Sequence, residues 1–423
     1  MTAVSNALIP NSPSLQQNQA LLYVLPVSSY IEKGTPQFRK TSWALLAGGF
    51  SSFALLYCVQ PMMPALSEAF SINAAQSSLI LSVSTITLAI GLILTGPISD
   101  ALGRKPVMVV ALMAAALCTL LASVMPTWQS LLLMRGLLGL SLSGITALAV
   151  TYLSEEIHPR NIGVAIGLYI GGSAIGGMSG RLVSGLILEY GSWRMAVGAI
   201  GIVGVASAVL FWRYLPESRH FTPRAINTKN LVGGFLFHFQ NSALCLLFFQ
   251  AFLLMGSLVT FFNYIGYHLL QGPFFLSQQM VSLSSFVYLT GLYSSAKIGS
   301  LADRVGRPKV FWKIILLTLI GVVLTLANNI YSLVIGTVIF TFGFFGSHAV
   351  ASSWIGRCAK TAKGQATSLY QIFFYIGASV AGTWGGMFWQ HAHWLGVGLF
   401  IAGLLTVSLL ISLKLAQEVA SQS

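Results

Sequence analysis

Acidic side chains are nearly missing from this chain: nine Asp and Glu stand against 22 Lys and Arg in 423 residues, a net charge of +13. Charged residues of both signs make up only 7%, where a soluble domain carries roughly 25%. That scarcity excludes an ordinary soluble enzyme. Cysteine is scarce as well. Cys58, Cys118, Cys245 and Cys358 are scattered, form no CxxC spacing and lie in or beside apolar runs. They read as small buried hydrophobes, not as a disulfide framework or a metal site. The sequence has no Walker A loop, no HExxH and no Asp-rich motif. ATP hydrolysis within this chain, a metal-dependent enzyme and a bound cofactor are therefore not expected.

What is present is apolar. Hydrophobic residues make up 55%, with 42 Gly and 26 Phe, which excludes a disordered chain. Twelve apolar runs are near or above the roughly 20 residues that a membrane-spanning helix needs. They lie near 42–63, 77–98, 106–125, 130–153, 162–187, 194–214, 243–267, 278–299, 310–327, 331–353, 366–388 and 394–415. They lack the alternation of a barrel strand, so the fold class expected is an all-α membrane protein. The long connection after the sixth run divides the chain into a tail (1–41), a six-helix bundle (42–215), a linker (216–242), a second bundle (243–415) and a short tail (416–423). Residues 1–31 are uncharged, and Ala20–Val27 is apolar but short, with no cationic stretch before it. This reads as a loose tail or an interfacial segment, not a cleavable signal.

The basic residues set the orientation. Eighteen of the 22, among them Arg39, Lys40, Arg104, Lys105, Arg160, Arg304, Arg307 and Arg357, fall in the tails, the even-to-odd connections or their flanks. The opposite connections hold essentially Arg194 alone. By the positive-inside rule both termini are cytoplasmic. The same distribution explains the positive charge without nucleic acid.

The halves repeat. Gly96-Pro-Ile-Ser-Asp100-Ala-Leu-Gly103-Arg104-Lys105 recurs as Gly299-Ser-Leu-Ala-Asp303-Arg-Val-Gly306-Arg307, an offset of 203, and Gly163, Tyr169 and Gly176 recur as Gly364, Tyr370 and Gly377 at 201. These residues resemble the major facilitator superfamily, whose motif A runs G-x-x-x-D-x-x-G-R. Arg135 and Gly139 in the fourth run resemble the motif B of its proton antiporters, and Pro216-Glu217-Ser218 resembles the ending of its sixth helix. The resemblance covers nearly everything after residue 33. It implies two pseudo-symmetric six-helix bundles in a bacterial inner membrane, alternating access, and a proton-transfer role for Arg135. One motif departs. Gly163, Gly172, Gly176 and Gly180 fit the antiporter motif C, but Gly177 stands where that motif has proline and Arg181 where it has its last glycine. Antiport therefore does not follow from motif C.

Site expectations come from charge and amide chemistry. In motif A, Gly103 and Gly306 suit positive φ or close backbone approach. Asp100 and Asp303 are placed to meet helix N-termini across the halves, near Gly364 and Asn161. Arg104 is expected to pair with Glu155 or Glu156, forming a latch that closes the cytoplasmic side and is stronger in the first half. Buried charge in a span is costly and therefore a functional candidate. Arg135, Arg181 and His348, with the peripheral Glu68, are the coupling candidates; Lys297 can snorkel. No Asp or Glu lies well inside a span, so the cavity is neutral to cationic and favours neutral or anionic substrates. Tyr57 and Gln60 in the first run, Tyr169 in the fifth, Asn263, Tyr264 and Tyr267 in the seventh, Tyr288 in the eighth and Gln371 in the eleventh are the cavity candidates, Gln60 and Asn263 foremost because a buried amide needs partners.

The expected function is secondary active transport of small organic molecules, as proton-coupled efflux. The alternatives are a sugar or metabolite permease working in either direction and, in another class, a non-transporting sensor on the same fold. The partners are a small-molecule substrate, protons and the lipid bilayer. One chain holds both halves of the cavity, so a functional monomer is expected.

Overall fold

The computed structural model describes residues 30–221, 223, 233, 235–359 and 361–422. The uncharged tail before residue 30 and the basic residues Arg224, Lys229 and Lys360 lie outside them. The chain runs as α1 (Pro36–Tyr57), α2 (Met63–Phe70), α3 (Ala74–Leu102), α4 (Arg104–Ala122), α5 (Trp128–Glu156), α6 (Ile162–Tyr190), α7 (Trp193–Tyr214), α8 (Ser242–Leu270), α9 (Gln278–Leu283), α10 (Tyr288–Val305), α11 (Arg307–Leu324), α12 (Ile330–Cys358) and α13 (Lys363–Gln422). Side chains at the starts satisfy backbone N–H groups that no helical carbonyl reaches. Asn73 with Gln76 and Thr127 with Ser130 form reciprocal capping boxes, while Ser192, Asn241 and Asn329 cap singly.

Among the described residues, nine helical stretches are long and apolar enough to cross a membrane, α1 and α2 counting together. Two others, α10 and α11, are short and carry Lys297, Asp303 and Arg304, or Arg307, Lys309 and Lys313. The last, α13, holds two spans across a break at Ala392 and His393, where φ turns to 45°. Nine stretches and twelve expected crossings agree in this way. Two runs expected to be continuous are not. The first breaks after Tyr57, because Pro61 and Pro64 bring no N–H to the ladder. The eighth passes from α9 through a tighter turn at Ser284–Val287 into α10.

The internal repeat is structural. Gly103 and Gly306 take φ of 97° and 102° between their paired helices, a region that disfavours any side chain. A Cβ at Gly176 would overlap the backbone of Phe50, and one at Gly377 the backbone of Phe252. Helix α6 therefore seats on α1 as the first arm of α13 seats on α8.

The halves meet chiefly where α3 lies along α13 and α6 touches α9. Bonds between the halves gather at one end of the bundle, away from the basic loops. At the basic end, a cleft of about 800 Å³ opens between the Leu92–Asp100 part of α3, Arg104 at the start of α4, the Thr146–Ser154 part of α5 and the Gly364–Gln371 start of α13.

Candidate functional site

The sealed end is built from short polar side chains. The Tyr267 hydroxyl sits 2.6 Å from both Ser67 Oγ and Ser77 Oγ. Ser379 Oγ donates to the Ser82 carbonyl at 2.9 Å, and Thr383 Oγ1 to Ser82 Oγ at 2.8 Å. Gln278 Nε2 donates to the Pro61 carbonyl, and the Gln279 amide to Glu189. Every one of these bonds joins the first half to the second. Tyr267 thus belongs to the seal. Tyr264 donates to the Gly382 carbonyl at 2.8 Å and stacks on Trp389, with its hydroxyl beside Ser78 of α3. Outside the seal lies a vestibule of about 720 Å³ that includes Glu68, which is exposed on α2.

Beneath the seal lies the pair of amides that the sequence puts first. Gln60 Nε2 donates to Asn263 Oδ1 at 2.8 Å. The two positions differ by 203, close to the repeat offset, and the bond joins the first half to the second. Arg181 is the third member. Its Nε donates to Gln60 Oε1 at 2.6 Å and its Nη1 to the Gly177 carbonyl at 2.7 Å. The guanidinium lies 4.4 Å from the ring centres of both Tyr57 and Tyr288, one ring from each half. Only 4% of Arg181 is exposed. The structure therefore brings Tyr57, Gln60, Asn263, Arg181 and Tyr288 together, and Arg181 is walled in, not snorkelling to an interface. Tyr169 is buried in the first half, its backbone carbonyl accepting from Ser173 Oγ at 3.0 Å. Gln371 lines the cleft at the basic end.

Arg135 is placed differently. It is 1% exposed and donates to three carbonyls, those of Ile80 at 3.1 Å, Leu55 at 2.8 Å and Leu56 at 2.7 Å. The break in α1 leaves its last carbonyls without helical donors. Arg135 takes two of them and Ser184 Oγ takes that of Cys58 at 2.8 Å. Arg135 thereby ties α5 to α1 and α3. Glu68, the peripheral coupling candidate, lies apart from Arg135 in the outer vestibule. His348 stays within the second half. Its Nδ1 is 2.9 Å from the Tyr370 hydroxyl, and its ring packs on Phe344 and Phe374.

At the basic end, motif A makes two unlike clusters. Arg104 bonds Asp100 at 2.6 Å and Glu155 at 3.0 Å, and Ser99 at 2.6 Å. Asp303 instead accepts from two arginines, Arg307 at 2.6 Å and Arg357 at 3.3 Å, while Arg307 Nε reaches Ser353. Lys105 reaches Glu217 of the linker at 2.7 Å. Glu156 is a correction. It does not join Arg104, since adjacent helical residues point about 100° apart. It is wholly buried, accepts from the His220 amide at 3.0 Å and sits 3.4 Å from the His220 ring. Its backbone carbonyl accepts from Ile31 at 2.8 Å. The tail and the linker are thus pinned to the end of α5, a contact the sequence reading missed. Asp100 and Gly364 line the same cleft, with no hydrogen bond between Asp100 and the start of α13 among the described residues.

Two pseudo-symmetric helical bundles sealed at one end and parted at the other define a membrane carrier. The chain belongs to the Major Facilitator Superfamily, whose model matches residues 45–299. It is 51% identical over 388 residues, 92% of this chain and 93% of the relative, to the inner membrane transport protein YnfM of Escherichia coli. It is 44% identical to the uncharacterized MFS-type transporter YybF of Bacillus subtilis, over 92% of this chain and 97% of that one. Among solved structures, the nucleoside transporter NupG superposes with a TM-score of 0.74 at 17% identity, covering 88% of this chain and 99% of that one. The xylose transporter XylE of E. coli superposes at 0.70 and 13%, covering 89% and 97%. These likenesses establish the fold and a role in membrane transport.

Proposed function

We propose that this chain exports small organic molecules across the bacterial inner membrane by alternating access, driven by proton antiport, as a monomer with both termini in the cytoplasm. The observation that carries the reading is the opposition of the two ends: inter-half hydrogen bonds gather at one, and a cleft of about 800 Å³ parts the halves at the other. The asymmetry of basic residues makes the cleft end cytoplasmic, so the state described is inward-facing. In the outward-facing state the seal around Tyr267 and Ser82 parts. The motif A clusters of Gly96, Asp100, Arg104, Glu155, Gly299, Asp303 and Arg307 then close the cytoplasmic end as a latch.

Proton coupling rests on the resemblance at Arg135 and Gly139, with His348 as the titratable group inside a span. The test is accumulation of cationic, neutral and anionic compounds in exporter-deficient cells, with and without a protonophore. Lowered accumulation of at least one compound, reversed by the protonophore, is expected. His348→Gln is expected to lose the protonophore-sensitive part while keeping counterflow in proteoliposomes. Export untouched by the protonophore overturns the coupling. Unchanged accumulation of every compound, at normal membrane abundance, overturns drug-type export and favours a metabolite permease.

A further inference from the structure

We infer that Arg181 is the anchor of a binding site for monocarboxylates, so that the carrier's substrates are small organic acids with an apolar or aromatic body. The inference rests on the transporter reading above and adds the substrate class. It begins with charge. Arg181 is buried, and among the described residues no Asp or Glu forms an ion pair with it; its hydrogen-bond acceptors are the neutral oxygens of Gln60 and Gly177. A buried cation without a counter-charge is expensive, and the fold keeps one between its halves.

Donors around it supply the second observation. The Tyr57 hydroxyl, the Tyr288 hydroxyl and Asn263 Nδ2 are buried without a hydrogen-bond partner, in residues 3%, 6% and 1% exposed. The amide's orientation is forced. Arg181 Nε takes Gln60 Oε1, so Gln60 presents its N–H to Asn263 Oδ1, and Asn263 is left with its N–H₂ unspent. Two phenols flank the guanidinium, and Arg181 Nη2 has no hydrogen-bond partner among the described residues beside those of Nε and Nη1. One cation with two phenol rings against it, and one amide donor on the neighbouring Asn263, therefore lie together with no anionic acceptor among their hydrogen-bond partners.

The complementary ligand brings one negative charge on two coplanar oxygens, which a guanidinium edge matches. A dianion such as a phosphate monoester would outweigh the single charge of Arg181. An ammonium would face that charge and the unspent amide donor. The rings of Tyr57, Tyr288 and Phe262, all over or near the guanidinium, suit an apolar body next to the carboxylate. Arg181 has no symmetry mate: at the 201 offset stands Gly382, so the site belongs to the first half and is completed by the second.

The experiment uses the full chain in detergent or nanodiscs. Its melting temperature is measured against benzoate, benzamide, hexanoate and hexanamide up to about 10 mM, since a ligand of the folded state raises it with concentration. Each amide matches its acid in shape but replaces the charged carboxylate oxygen with a neutral N–H₂ donor. A rise with at least one acid and none with its amide is expected. Arg181→Gln should weaken that acid about tenfold or more. Tyr57→Phe and Tyr288→Phe, which keep the rings on the guanidinium, should each weaken it about threefold without changing the unliganded melting temperature. These two variants carry the test if Arg181→Gln does not fold.

Equal shifts from acid and amide, no shift from either acid, or an acid shift untouched by all three substitutions would overturn the inference. The transporter reading fails on different grounds. Export of a neutral or cationic compound that does not need Arg181 leaves it standing and removes only the carboxylate class.

Discussion

Arg135 and Arg181 are buried cations in a chain whose spans hold no acid, yet the structure uses them oppositely. Arg135 meets all its acceptors inside the first half, in three backbone carbonyls. Charge-assisted bonds of this kind are worth about 1.5–3 kcal/mol each, and orphaned buried carbonyls add to the loss. Arg135→Met is therefore expected to destabilise the protein by roughly 3 kcal/mol or more, read as a melting temperature several degrees lower in detergent. A variant that melts normally but no longer responds to a protonophore would return Arg135 to the coupling role its motif implies. Backbone acceptors leave no mark in a sequence, which is why the stapling role of Arg135 was not legible there. The Gln60–Asn263 pair was legible, because amides are rare in apolar runs and these two stand close to the repeat offset apart. Glu155 and Glu156 were not separable, since only the phase of α5 decides which one faces Arg104.

At the scale of elements, the seal depends on how closely α13 approaches α3. A Cβ on Gly386 would overlap the backbone of Ala75 and crowd the Tyr264 hydroxyl, contacts that no rotamer change relieves. Gly386→Val should hold the sealed end ajar. With Ser82→Cys as reporter, labelling by a membrane-impermeant thiol reagent from that side should be faster with the added valine than without it; equal rates would refute the role of Gly386. The motif A clusters give a second comparison. Asp100→Asn leaves Arg104 its bond to Glu155. Asp303→Asn leaves Arg307, 8% exposed, with no acid and with Ser353 as its remaining side-chain partner among the described residues. Asp303→Asn is expected to cost the larger share of transport at equal membrane abundance. The two acids on Arg104 follow the sequence expectation; that Arg357 turns back to Asp303 was not legible there.

For the whole molecule, the balance between its two faces is set by bonds that cross between the halves at one end. Tyr267→Phe removes the hydroxyl shared by Ser67 and Ser77. At about 0.5–1.5 kcal/mol per bond, the loss should shift the inward to outward ratio roughly tenfold toward outward, visible as faster labelling of the same Ser82→Cys reporter. The twelve crossings, the halves and their repeat were legible because hydropathy and motif spacing are sequence properties. The seal was not. Serines inside apolar helices often bond their own preceding turn, as Ser52 and Ser84 do here, and nothing in the text distinguishes Ser77 or Ser82 from them.

Arg181 sits within the span of the membrane field, where one elementary charge carried across 100 mV is worth about 2.3 kcal/mol. A carrier whose binding site holds a fixed positive charge is electrically different empty and full. Loaded with a monocarboxylate, the site is neutral, and its passage between faces moves little charge. On the carboxylate reading, the return limb carries the guanidinium without its carboxylate, with any coupled proton. The membrane potential then acts chiefly on that limb, while the net charge moved in a complete turnover is that of the cargo and the coupled protons, because the guanidinium ends each cycle where it began.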